Sequence, residues 1–179
     1  GILPATQRIF TPTLHARLQR ETQAVAATPL VKRYAASLFG AKYEYPITMP
    51  IDSDFLIGTM DVLVQIPTSS SPQNPSGALE IWDWKTNRVG SARDMDRLLA
   101  EYRLQLEIYA YMASFLAPEQ NTFTTRLLFT RRASSSAQDD EWTRTLEFTR
   151  LDMAAIETKV RRIIGEIRKR SYGLVTEFA

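Results

Sequence analysis

The most constraining feature of this sequence is a short, largely apolar segment, residues 79–85 (LEIWDWK), in which Asp83 and Lys85 carry opposite charges two positions apart. Its pattern predicts a β-strand on which Asp83 and Lys85 share one face, while Trp82 and Trp84 point to the other. Burying charge in an apolar strand is costly unless the charges are paired or bind a metal ion. We therefore expect this strand to lie in a sheet that provides partners for its charged face.

The rest of the chain supplies helices and further strands for that sheet. Helical spacing of apolar residues predicts helices over 12–39 (divided in two at Pro29), 93–116 and 152–170, the last with Asp152 as its N-cap. Period-two alternation predicts further strands over 42–50, 55–66, 122–130 and 142–149, with polar connectors over 67–78 and 133–140. This order predicts an α/β or α+β domain in which a central mixed sheet is flanked by helices.

Composition excludes several classes of site. The 179 residues fit one domain, and the absence of cysteine excludes disulfides, thiolate zinc sites and iron–sulfur clusters. The single histidine, His15, excludes a multi-histidine metal centre. No apolar run approaches the roughly 20 residues of a membrane span, and no signal peptide is visible, so we expect a cytoplasmic protein. The chain begins at Gly1 rather than Met, which suggests a processed or excised product.

The cationic residues are mostly arginines: only five of the 22 are lysines, and the net charge is +2. Arginine binds phosphate in a bidentate fork better than lysine does, although a composition bias of the source genome explains the excess equally well. The last predicted helix concentrates such charges, which form either a solvated face or a surface that follows a phosphate backbone. These charges belong to Lys159, Arg161, Arg162, Arg168, Lys169 and Arg170.

A second acidic residue, Asp61, lies in the preceding predicted strand, which should neighbour the strand of Asp83. Across such a strand pair the two carboxylates can converge on one hard divalent cation. Lys85 would lie beside the cation, where it can neutralise a phosphate oxygen or orient the attacking water. The alternative is that Asp83 and Lys85 form a surface ion pair on an edge strand.

Three motifs in order carry a family resemblance: Gly58-x-x-Asp61, Asp83-Trp84-Lys85-Thr86 and Tyr102-x-x-Gln105-x-x-x-Tyr109. Together they resemble the RecB-family nucleases of the PD-(D/E)XK superfamily, most closely the C-terminal nuclease domain of the RecB and AddA helicase–nucleases. The likeness extends over residues 12–172. It implies a restriction-endonuclease-like core with a central mixed sheet between helices, which agrees with the pattern of helices and strands.

The resemblance implies a DNA nuclease that uses Mg²⁺, with Mn²⁺ as the alternative ion, and has no iron–sulfur cluster. The implied metal ligands are Asp61, Asp83, the backbone carbonyl of Trp84 and His15. His15 matches a metal-binding histidine on the family's first helix, but the glycine that usually precedes it is absent from Phe10–Thr13. The alternative is that His15 is a helix-surface residue.

The resemblance also implies substrate contacts. Gln105 and Tyr109 would point into the active cleft and bind substrate or position the lysine. Arg88 is a further candidate for a DNA contact, because its position just past the catalytic strand puts it at the rim of the cleft. We expect Tyr102 to be a core residue of the helix. Glu44 matches an acidic residue that often precedes the first strand in these nucleases, and we expect it to be a structural partner rather than a ligand.

The biological setting follows from the same resemblance. Residues 1–179 would form one nuclease domain, the C-terminal part of a longer chain. It would cut single-stranded DNA delivered by an attached or partner superfamily 1 helicase during double-strand-break processing and recombinational repair. The alternatives are a stand-alone phage-type exonuclease and a non-catalytic DNA-binding or scaffolding module. Retention of both acids and the lysine disfavours the non-catalytic module.

Overall fold

The structure, a computed structural model, describes residues 12–66, 78–132 and 142–173. The connectors expected over 67–78 and 133–140 lie almost wholly outside the described residues. No helix within the described ranges is long and apolar enough to cross a membrane.

The described chain contains five strands and five α-helices. The strands are β1 (Lys42–Ile51), β2 (Asp54–Ile66), β3 (Ala78–Val89), β4 (Thr122–Arg132) and β5 (Thr143–Thr149). The helices are α1 (Pro12–Ala26), α2 (Pro29–Arg33), α3 (Ala35–Phe39), α4 (Ala92–Leu116) and α5 (Met153–Gly173), the last preceded by a 3₁₀ turn over Arg150–Asp152.

The strands form one sheet in the order β1-β2-β3-β4-β5. Strands β3 and β4 are parallel, and the other neighbouring pairs are antiparallel. The predicted mixed sheet flanked by helices is therefore confirmed. Because β3 is the central strand, the interpretation of Asp83 and Lys85 as a surface pair on an edge strand is wrong.

The two faces of the sheet carry different helices, as the alternation in residues 79–85 predicts. Ile81 packs in a core shared by α4, α5 and all five strands of the described sheet. On the opposite face, Trp82 packs with Val62 and Val64 against residues of α2 and α3, and Trp84 lies at the edge of this cluster. The charged face of β3 is consequently the face that α4 covers.

Two local predictions are corrected. The first helical segment breaks twice, because Pro29 begins α2 and Tyr34 separates α2 from α3. Asp152 is not an N-cap: Thr149 precedes the 3₁₀ turn, and its amide and hydroxyl donate to Asp152 Oδ2 at 2.6 and 2.8 Å. This reciprocal capping starts the turn three residues earlier than an N-cap at Asp152 would.

Both ends of α4 are fixed by side chains. At its start, Ser91 Oγ accepts from the Asp94 amide at 3.2 Å, while Asp94 Oδ2 accepts from the Gly90 amide at 3.0 Å. At its end, the Arg150 guanidinium donates to the carbonyl of Ser114 in the last turn and to those of Ala117 and Gln120 just beyond it, which gives Ser114 a partner that the helix end itself does not supply. The helix that covers the charged face of β3 is therefore held at both termini.

Four of the six basic residues named above on α5 are engaged by carboxylates of the protein, which favours the interpretation as a structural, solvated face. The pairs are Lys159 with Glu107, Arg161 with Asp52 and Glu157, Arg162 with Glu166, and Arg168 with Asp54. Those with Asp52 and Asp54 connect α5 to the two sides of the β1–β2 turn.

The start of α4 predicts a pH-dependent contribution to stability. Hydrogen bonds from the Gly90 amide and the Ser91 hydroxyl lower the pKa of Asp94 below its ordinary value of 3.8. Its carboxylate therefore stabilises the fold above the ordinary pKa, and this contribution is lost as the pH falls through the lowered value. We expect Asp94→Asn to lower the melting temperature at pH 7, and the difference from the parent to shrink as the pH falls to 2.

The control is Glu119→Gln, which removes an exposed carboxylate just beyond α4 and should leave the melting temperature unchanged at both pH values. An Asp94→Asn deficit of equal size at pH 7 and pH 2 would show that the charge of Asp94 is irrelevant.

Candidate active site

The site begins where β2 and β3 separate. Their ladder runs from Ile66 opposite Ala78 to Val62 opposite Trp82 and stops there, although both strands continue. Two residues beyond Trp82 on β3, the Trp84 amide donates to Asp61 Oδ2 at 2.7 Å. A side-chain carboxylate thus replaces the backbone acceptor that a continued ladder would supply, and Asp61 is held at the β2–β3 fork, as we call this separation.

Near Asp61, the residues of β1 and β2 also switch the side of the sheet that they face. Tyr43 and Val62 lie on the α2–α3 side, whereas Tyr45 and Met60 pack on the α4–α5 side, although residues two apart in a regular strand share a face. The switch occurs at Glu44, whose φ of 47° is in the left-handed region, and opposite it at Asp61. This irregularity places Asp61 where it can reach across to β3.

Asp83 is the most buried member of the site, with a side chain 3% exposed. Its Oδ2 lies 2.5 Å from Lys85 Nζ, and its Oδ1 accepts from Gln105 Nε2 at 3.2 Å. Burial raises the pKa of Asp83 above 3.8, Lys85 opposes the shift, and the charge of Asp61 adds to it. The two carboxylates are therefore close enough for one to disfavour ionisation of the other.

Gln105 of α4 connects the two charges of β3. Its Oε1 accepts from Lys85 Nζ at 3.0 Å, while its Nε2 donates to Asp83 Oδ1 at 3.2 Å and to Tyr109 Oη at 3.1 Å. A primary amide offers both an acceptor and two donors, which this position requires. The predicted proximity of Gln105 to the charged pair is thus present in the structure.

Tyr109 is buried and braces β2 rather than facing open space. Its hydroxyl donates to the Thr59 carbonyl at 2.7 Å, an acceptor on the part of β2 that no longer pairs with β3. Burial raises the pKa of Tyr109, and the charges of Asp83 and Asp61 raise it further. A Cβ on Gly58 would lie 3.3 Å from Tyr109 Cε1, so the glycine of the Gly-x-x-Asp motif leaves room for this ring.

Two contacts of Tyr102 were not anticipated from the sequence. The centre of its ring lies 4.0 Å from Lys85 Nζ, and its hydroxyl donates to Asn87 Oδ1 at 3.2 Å. Tyr102, expected as a core residue, is half-buried above the lysine. The available signal was its spacing, one helical turn before Gln105 on the same face of α4.

The remaining predicted residues are more peripheral. His15 is exposed on α1, and Arg88 is exposed on β3 beyond a bulge that follows Lys85. Within the described ranges, no group of three or more histidine, aspartate or glutamate side chains is placed to hold a metal ion. The structure therefore brings Asp61, Asp83 and Lys85 together, but does not join His15 to the two carboxylates.

The donor set fits a hard divalent cation. Asp83 Oδ2 is buried and is engaged by the Lys85 ammonium in an ion pair. Mg²⁺ is commonly held by one or two carboxylates and completes its coordination with water and phosphate oxygens. Asp61 and Asp83 meet that minimum.

Comparison with known proteins identifies the family. The family described as the PD-(D/E)XK nuclease superfamily matches residues 4–177, nearly the whole chain. No curated protein matches the sequence. Among solved structures, the one titled "Crystal structure of SSO0001" has a TM-score of 0.41 and 14% sequence identity, and the match covers 89% of this chain and 64% of that one. The chain thus spans less than two thirds of the length of that protein.

We expect Asp61→Asn and Asp83→Asn each to weaken Mn²⁺ binding at least about tenfold, because each removes one of two charged oxygen ligands and keeps its shape. Isothermal titration of the purified variants measures this. Asp96→Asn, which removes an exposed carboxylate of α4, is the control and should bind as the parent does. Parental affinity in both site variants would contradict a shared cation site.

The role of His15 remains a prediction. If its imidazole joins the metal shell, His15→Ala should weaken Mn²⁺ binding more than Mg²⁺ binding, because nitrogen ligands suit transition metals better. Gln23→Ala, an exposed substitution on the same helix, is the matched control. Unchanged affinity for both ions in His15→Ala would make His15 a helix-surface residue.

Proposed function

Because this chain belongs to the PD-(D/E)XK nuclease superfamily, we propose that it is a Mg²⁺-dependent deoxyribonuclease of RecB type with Asp61, Asp83 and Lys85 at its active site. The observation that carries the proposal is the β2–β3 fork. There, two carboxylates and an ammonium group meet on the central strands, and Gln105 holds two of the three by hydrogen bonds.

In this proposal Asp61 and Asp83 hold the cation, with the Trp84 carbonyl and His15 as further ligands. A bound divalent cation would polarise the phosphate and make water a better nucleophile. Its positive charge would also offset the desolvation that raises the pKa of Asp83. The cation would then favour the ionised form of this buried carboxylate together with Lys85.

Lys85 supplies the positive charge that the protein itself brings to the reaction. Its ammonium can donate hydrogen bonds to the phosphate oxygens, whose negative charge grows in the transition state, or orient the attacking water. Gln105 holds the Lys85 ammonium at 3.0 Å, so little reorganisation is needed when substrate arrives. Tyr109 in turn fixes Gln105 and ties it to β2.

The proposal extends to the substrate and the biological setting. We propose single-stranded DNA as substrate, with the exposed Arg88 contacting phosphates next to the site. The order of the three motifs supports a RecB-type domain within a longer helicase–nuclease chain. Double-strand-break processing and recombinational repair would be its setting.

We expect Lys85→Met to slow DNA cleavage at least about 10²-fold, the usual cost of removing one preorganised donor from a reacting oxyanion. Metal affinity should be retained, because both carboxylates remain. The assay uses end-labelled single- and double-stranded DNA with Mg²⁺, with Mn²⁺, and with chelator. Lys169→Met, on an exposed position of α5, is the control and should cleave as the parent does.

Chelator should abolish cleavage by the parent. Cleavage at the parental rate by Lys85→Met would remove Lys85 from the mechanism, and preference for double-stranded DNA would contradict the proposed substrate. Metal-dependent DNA binding without any cleavage by the parent would instead indicate a non-catalytic module.

A further inference from the structure

We propose that Tyr102 is a positioning residue whose aromatic ring holds the Lys85 ammonium at the active site. The proposal rests on the proposed function of Lys85 and extends it to a residue that the sequence alone assigns to core packing. It differs from a packing role because it depends on the electron-rich face of the ring, not on the volume of the side chain.

The three protons of the Lys85 ammonium have three acceptors. One faces Asp83 Oδ2 at 2.5 Å, a second faces Gln105 Oε1 at 3.0 Å, and the Tyr102 ring centre lies 4.0 Å from the nitrogen. The Lys85 side chain is only 13% exposed, so water contributes little to its solvation. A cation over an aromatic face is held more strongly when it is desolvated in this way.

The Tyr102 ring is fixed at the contact between α4 and β3. Its hydroxyl donates to Asn87 Oδ1 at 3.2 Å, and Asn87 follows Lys85 by two residues on β3, so both side chains meet the same residue of α4. Tyr102 precedes Gln105 by one helical turn on α4. Asp83, Lys85 and Asn87 of β3 are therefore contacted by Tyr102 and Gln105, which lie on successive turns of α4.

This arrangement gives Lys85 a position that does not depend on Asp83. In the proposed mechanism Asp83 oxygens are engaged by the cation, which removes the shortest contact of the ammonium. The Tyr102 ring and Gln105 then keep the flexible lysine side chain at the site instead of releasing it to solvent. We expect the ring to influence the rate of the chemical step and to leave DNA affinity unchanged.

The contact is tested without any reaction by NMR of protein labelled with ¹³C at the lysine ε-carbon. Five lysines give five signals, and Lys85→Arg assigns the relevant one. The ring current of Tyr102 should shift the Lys85 signal upfield. Tyr102→Phe should keep that shift and Tyr102→Leu should abolish it. Lys42, which lies 4.6 Å from the Tyr45 ring centre, is an internal reference whose signal should stay constant.

The consequence is tested by single-turnover cleavage at saturating DNA and metal. Tyr102→Phe should remain within about threefold of the parent, whereas Tyr102→Leu should be slowed about tenfold, with an unchanged Kd for DNA. Phenylalanines with increasing ring fluorination at position 102 should slow the reaction in order, because fluorine weakens the ring's hold on a cation at nearly constant size. Phe115→Leu, at the other end of α4, is the control and should cleave at the parental rate.

A Lys85 signal that is unshifted in the parent, or that Tyr102→Leu leaves in place, overturns the proposal. So does parental single-turnover rate in Tyr102→Leu, or equal rates across the fluorinated series. If the parent cleaves no DNA, the proposed function fails, and the NMR comparison still decides separately whether the ring holds Lys85.

Discussion

The hydrogen bond from the Trp84 amide to Asp61 is the interaction on which the site depends. It replaces a backbone pair in the middle of the sheet, so β2 and β3 can part without leaving a buried amide unsatisfied. The parting frees the Thr59 carbonyl for Tyr109 and brings a second carboxylate beside Asp83. One side chain therefore ends the ladder and contributes to the proposed cation site.

Helix α4 converts this opening into an ordered site. Side-chain hydrogen bonds at both termini fix its place over β3. From there Tyr102 contacts Lys85, and Gln105 contacts both Lys85 and Asp83. Gln105 is central because its amide serves Asp83, Lys85 and Tyr109 at once. Substituting an apolar residue there would remove a hydrogen-bond partner from both a buried carboxylate and a nearly buried ammonium, which is costly.

Much of this could be predicted because it follows from local patterns. The alternation in residues 79–85 predicted both which face holds Asp83 and Lys85 and where Trp82 packs, and helical spacing predicted that Gln105 and Tyr109 share a face. The three motifs indicated which distant residues meet, and the structure places Asp61, Asp83 and Gln105 together.

What could not be predicted depends on contacts that no local pattern encodes. The left-handed φ of Glu44 and the change of face at Asp61 arise from the pairing of two strands. The place of Tyr102 over Lys85 depends on the register of α4 against β3, which spacing within the helix does not determine. Asp152 lost its expected N-cap role because Thr149, three residues earlier, offered a better start to the turn.

The most direct measurement of the central claim is anomalous diffraction from crystals of this chain soaked in Mn²⁺. The account predicts one peak bound by carboxylate oxygens of both Asp61 and Asp83, at the point where β2 and β3 separate. A Mn²⁺ ion bound elsewhere, with Asp83 still paired to Lys85 and the β2–β3 fork empty at saturating Mn²⁺, would contradict it.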